Sequence, residues 1–100
     1  MKHYTVVTLD VTDPVWMEPY LGPVTDIVHA NGGRYLCRTP QIELIEGDTA
    51  PQVAVVIEWD SKEGAEAFYK HPDYQEHKRA RLAGSDGTML LVAGHDVLND

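Results

Sequence analysis

Val53-Ala54-Val55-Val56-Ile57-Glu58-Trp59 (VAVVIEW) is the stretch on which the fold turns. It is rich in β-branched residues and reads as a strand. A strand with one wet face alternates apolar and polar residues. This one is apolar on both faces until Glu58, so both faces need a cover. Just after it, Asp60-Ser61 caps a helix expected over 62–70, with Ala65, Phe68 and Tyr69 for its inner face. Just before it, Glu46 to Gln52 (EGDTAPQ) reads as a turn or loop.

Farther out, residues 3–11 (HYTVVTLDV) read as another strand. Tyr4, Val6, Thr8 and Asp10 share one face, and His3, Thr5, Val7, Leu9 and Val11 the other. Thr12-Asp13-Pro14 starts a helix. Trp16, Tyr20, Val24 and Ile27 follow helical spacing, as do Met17, Leu21 and Val28. Gly22-Pro23 is expected to bend or split that helix, because proline removes a backbone donor. Asn31-Gly32-Gly33 ends it. Arg34 to Arg38 (RYLCR) is a second strand, interrupted by Pro40 and open to continuation over Gln41 to Ile45. His71-Pro72 separates the helix over 62–70 from one over 73–83, which places Tyr74, His77, Arg81 and Leu82 near one side. Thr88 to Ala93 is the last strand.

This order is β-α-β-β-α-β, the ferredoxin-like pattern. The expected architecture is α+β, a four-stranded antiparallel or mixed sheet with helices on one face only. The other face, apolar in the first and third strands, is left to a second copy, most simply in a two-fold homodimer. One domain is expected over 1–96, followed by a polar tail over 97–100.

Composition narrows the function classes. Eight Lys and Arg stand against sixteen Asp and Glu, a net charge of −8, which opposes nucleic acid and anionic membranes. One cysteine, Cys37, excludes an internal disulfide and points to a reducing, cytoplasmic setting. No apolar run approaches a membrane span and no signal peptide is visible. The five histidines form no H-x-H or H-x-x-x-H pair, so neither metal nor cofactor is expected.

Glu58 is the leading candidate for chemistry, because an ionised carboxylate in so apolar a strand is costly unless paired. Arg34 and Arg38 are its candidate partners. By alternation they share one face with each other and, if the strand passes Pro40 without a bulge, with Ile42. Tyr35 and Cys37 then share the opposite face, Cys37 as a packed thiol. Arg81 reads as turned back toward the sheet from a solvated basic helix face. Tyr4, Arg34, Arg38 and Glu58 are the expected ligand-binding residues, with Glu58 and His29 the candidates for catalysis.

Asn31-Gly32-Gly33-Arg34-Tyr35-Leu36-Cys37-Arg38 followed by Glu46-Gly47-Asp48 resembles the pattern of a small bacterial family, the domain-of-unknown-function family thirteen-thirty. Asp13-Pro14, Glu58, Ser61, Pro72-Asp73-Tyr74-Gln75, Arg81-Leu82-Ala83 and Asp86-Gly87 extend the resemblance from about Lys2 to Gly94. It implies the dimeric α+β barrel fold. Relatives in that superfamily include cofactor-free oxygenases, lactone isomerases, haem-dependent enzymes and non-catalytic proteins. The family pattern usually has His before Gly-Gly, where this chain has Asn31, with His29 nearby. Two functions follow as expectations. One is a small homodimeric protein binding a small organic molecule between sheet and helices. The alternative is a cofactor-independent oxygenase or isomerase acting on a small aromatic or lactone substrate.

Overall fold

A computed structural model describes residues 1–99. Four strands form one sheet: β1 (His3–Val11), β2 (Gly33–Thr39), β3 (Val53–Trp59) and β4 (Ser85–Ala93). Three helices connect them: α1 (Met17–Ala30), α2 (Lys62–Lys70) and α3 (Gln75–Ala83). Short 3-10 turns, Pro14–Trp16 and Pro72–Tyr74, precede α1 and α3. The strand order is β2-β3-β1-β4 and every pairing is antiparallel. The two strands that read as apolar on both faces are therefore the two central ones.

Alternation divides the sheet. Thr5, Val7 and Leu9 of β1 and Ile57 and Trp59 of β3 are buried. Val24 and Val28 of α1, Ala65 and Phe68 of α2, and Tyr74 pack with Ile57 and Trp59, and Trp16 packs with Val7 and Leu9. Trp59 is fully buried, and its Nε1–H donates to Thr5 Oγ1 at 2.8 Å, so its polar atom is satisfied. Gly33 lies so close to Val28 and Trp59 that a Cβ there would fall within 2.8 Å of both side chains. Tyr4, Val6 and Thr8, and Ala54, Val56 and Glu58, point the other way and are only half-buried.

The cap signals act as read. Asp13 accepts a hydrogen bond from the Val15 amide, and Ser61 one from the Gly64 amide. Gly32 takes a positive φ of 85° where the chain leaves α1.

Three expectations need correction. Gly22-Pro23 does not split the first helix: α1 runs through Pro23. The proline forfeits one bond, toward the carbonyl of residue 19 in the first turn. Gly22 has no Cβ to meet the ring that follows it. Gln41 to Ile45 does not continue β2, and Ile45 is exposed. Pro40 has no donor for the ladder, and the Gln41 amide turns back to Thr39 Oγ1 at 2.9 Å.

The third correction concerns β2. Arg34 pairs with Glu58 and Tyr35 with Ile57, but Cys37 pairs with Val56 and Arg38 with Val55. Leu36 is an extra residue, a β-bulge, and it reverses the faces beyond it. Arg34 and Cys37 lie on the open face, and Tyr35 and Arg38 on the helix face. Cys37 is accordingly exposed, not a packed thiol. The tail expected over 97–100 begins as a turn with Val97 and Leu98 exposed, and Asp100 lies outside the described residues.

Candidate functional site

Two polar constellations stand on opposite sides of the sheet. The first is at the end of β3 on the open face. The register sets Tyr4 and Arg34 on either side of Glu58. Arg34 binds Glu58 through Nε, at 3.1 Å from Oε1, and through Nη2. Arg34 Nη2 also donates to Asp60 Oδ1 at 3.0 Å, and Lys2 Nζ donates to the same oxygen at 2.7 Å. Lys2 lies 3.5 Å from Glu58, and the Tyr4 hydroxyl donates to Glu58 Oε2 at 3.4 Å. Two cations and two carboxylates thus neutralise one another.

The electrostatic consequences follow from that pairing. The Arg34 guanidinium holds the Glu58 carboxyl below the usual range, although desolvation opposes the shift. Hydrogen bonds from Lys2 and then Arg34 lower Asp60 to about 2. Glu58, with 20% of its side chain exposed, is an anion held by its neighbours. A general base works best with a pKa near the operating pH, and this pairing moves Glu58 the other way.

The structure brings Tyr4, Arg34 and Glu58 of the expected set together, through the register of β1 and β2 on β3. Arg38 and His29 do not join them. The Leu36 bulge turns Arg38 to the helix side, where its guanidinium stacks 3.9 Å from the Tyr35 ring centroid and donates to Thr25 Oγ1 at 2.7 Å. His29 is exposed on α1 and meets the edge of Tyr35, so the sheet separates it from Glu58.

The second constellation lies among the helices. The Tyr20 and Tyr74 hydroxyls are 3.1 Å apart, and Arg81 Nη2 donates to Tyr74 at 3.3 Å. His77 meets the edge of Tyr20. Burial, with the neighbouring Tyr74, pushes the Tyr20 hydroxyl far above its usual range, so it stays protonated. Sequence reading placed Arg81 toward the sheet but missed this network. The available signal was the spacing of Tyr74, His77 and Arg81, which sets all three on one side of α3 and the turn that leads into it.

Two adjoining hollows run between these helices and β4. One, of about 230 Å³, is lined by Thr5, Phe68, Tyr69, Met89 and Leu91, with Glu66 and Lys70 among its polar residues. The other, of about 400 Å³, is lined by Val7, Leu9, Arg81, Leu82, Ser85 and Met89 among others. Tyr69 and Met89 border both. They exist because β4 is an edge strand that α2 and α3 only partly cover: Leu91 points to the helix side yet is 41% exposed. Tyr4, Arg34, Arg38 and Glu58 line neither hollow. Among the described residues no cluster of His, Cys, Asp or Glu is arranged to hold a metal ion. No described helix is long and apolar enough to cross a membrane.

Comparison with known proteins gives a family and a fold. The family described as a domain of unknown function, DUF1330, matches residues 2–95. No curated protein sequence matches. A protein of unknown function from Rhodopseudomonas palustris superposes with a TM-score of 0.80 at 12% identity, over 95% of this chain and 83% of that one. SnoaB, a cofactor-independent oxygenase from Streptomyces nogalater, superposes with a TM-score of 0.66 at 17% identity, over 99% and 98% of the two chains. Identities this low establish a shared ferredoxin-like α+β fold and nothing about activity.

Proposed function

The chain belongs to the DUF1330 family, which carries no assigned activity, and from that premise we propose that it is a cytoplasmic homodimer binding a small organic molecule between its helices and β4. The hollow of about 400 Å³ is the observation that carries the binding reading. Its size falls within the range of small-ligand sites, and its lining sets Val7, Leu9, Leu82 and Met89 beside polar groups that include Arg81, Ser85 and Asp86. The dimer reading rests on the open face. Val6, Ala54 and Val56 are half-buried there, while Leu90 and Val92, paired opposite Val6 and Tyr4, are 55% and 43% exposed. A second copy covers these residues, and the Lys2–Arg34–Glu58–Asp60 cluster has no net charge with which to repel it. On this reading Tyr4, Arg34 and Glu58 border the subunit contact, and Arg38 borders the helix side. A free thiol at Cys37 suits a reducing compartment.

The competing reading is a cofactor-independent oxygenase or isomerase acting on a small aromatic or lactone substrate, supported by the fold shared with SnoaB. Its candidate residues weaken it. Glu58 is held as an ion-paired anion, and His29 is across the sheet.

Native mass spectrometry of freshly purified protein tests the proposal. The expected species is a dimer carrying a small-molecule adduct that leaves on collisional activation and is absent from Met89→Trp, which places a bulky ring in the hollow that Met89 lines. A monomer at every concentration overturns the dimer. An adduct that persists in Met89→Trp overturns the cavity.

A further inference from the structure

Arg81 is a buried cation without an anion. It is 7% exposed and makes no ion pair among the described residues. Its protein partners are tyrosine hydroxyls, and its Nε–H is buried with no acceptor among the described residues. Buried arginines are ordinarily paired, because desolvating a lone charge is costly. The carbonyl end of α3 offsets part of that cost, since Arg81 stands in the last helical turn. Neither that dipole nor the hydroxyls supply a full negative charge.

The same side chain lines the larger hollow, against Val7, Leu9 and Met89. Resting on the cavity reading above, we infer that the ligand is a small amphipathic carboxylic acid, its carboxylate held by Arg81 and its apolar body laid against Val7, Leu9 and Met89. The guanidinium fork matches a carboxylate in shape and charge. A dianion such as a phosphate monoester fits less well. Arg81 is the one cation in the lining, Asp86 is also among the lining residues, and the chain as a whole carries −8. The unused Nε–H becomes a donor to the ligand once the tyrosines adjust. This site shares no residue with the Arg34–Glu58 cluster.

The test is a pair of isosteric probes, benzoate and neutral benzamide, titrated into the intact protein. The Arg81 Nε–H and the amides of Ser85 to Met89 are followed by proton–nitrogen correlation spectra. Benzoate should shift the Nε–H and those amides at about ten-fold lower concentration than benzamide, the factor expected of one charge-assisted contact. Arg81→Gln should abolish the preference of benzoate over benzamide. Because the wild-type comparison needs no variant, poor folding of Arg81→Gln leaves the test intact. Equal response to both probes leaves the cavity standing and overturns the carboxylate. If neither probe moves a cavity resonance, the cavity reading falls and the carboxylate with it.

Discussion

The two faces of this sheet are built from the same strands, one residue out of step, and differ in every physical respect. On the helix side, Thr5, Val7, Leu9, Ile57 and Trp59 are sealed, and even the indole N–H of Trp59 has a partner. On the open side, Tyr4, Val6, Val56, Glu58, Leu90 and Val92 are equally tied into the ladder but lack a cover. Hydrogen bonding makes the strands; only burial of side chains makes a core. The helix face belongs to the folding of one chain. The open face is left to association.

That contrast can be broken by substitution. Trp59→Ala, in the helix-side core, should cost about 3–5 kcal/mol, much of the roughly 5–15 kcal/mol that holds a domain folded. Urea denaturation reads it as a large fall in midpoint. Leu90→Lys, on the open side, should change the folding free energy by about 0.5 kcal/mol or less. It should instead weaken the dimer by about ten- to a hundred-fold, the loss of one partly exposed leucine from each subunit, as measured by sedimentation velocity. If Leu90→Lys lowers the urea midpoint and leaves the dimer intact, the two faces have been assigned the wrong tasks.

Smaller effects sharpen the same distinction. Tyr20→Phe removes a half-buried hydroxyl on the helix side and should cost about 1 kcal/mol, with Tyr74 retaining Arg81. Arg34→Met acts on the open side through pH. Glu58 and Asp60 have depressed pKa values in the folded state, so their pairing adds stability above the ordinary carboxylate pKa of about 4. That contribution drains away as the pH falls toward about 2, where Asp60 protonates. Arg34→Met should therefore flatten the loss of urea midpoint between about pH 4 and pH 2. The effect should be the smallest of the four, because these side chains are partly solvated. An unchanged acid profile in Arg34→Met means the cluster contributes nothing to folding.

How much of this was legible beforehand differs between strands. In β1 and β3 alternation runs unbroken, so the residues that share a face could be read directly, whereas the face that the helices cover and the Tyr4–Glu58–Arg34 grouping needed the register between strands. In β2 the same rule holds from Gly33 to Tyr35 and fails at Leu36. Nothing in Arg34-Tyr35-Leu36-Cys37-Arg38 announces a bulge, since every residue there suits a strand. Its consequence is large: Arg38 stacks on Tyr35 and Cys37 is left exposed. The hollow beside β4 was equally hidden, because it depends on how far α2 and α3 reach across an edge strand.

The sequence by itself determined the order of elements, the α+β class, helix starts at Thr12-Asp13 and Asp60-Ser61, and which residues of β1 share a face. All of these are local, governed by the period of a strand or helix and by the chemistry of neighbouring residues. Only the tertiary structure decided that Leu36 bulges, that α1 tolerates Pro23, and that Tyr20, Tyr74 and Arg81 meet beside an unfilled hollow. Those outcomes depend on competition among packing surfaces distant in the chain. A one-residue shift or a missing counter-ion there is settled by the whole fold and leaves no mark on the local pattern.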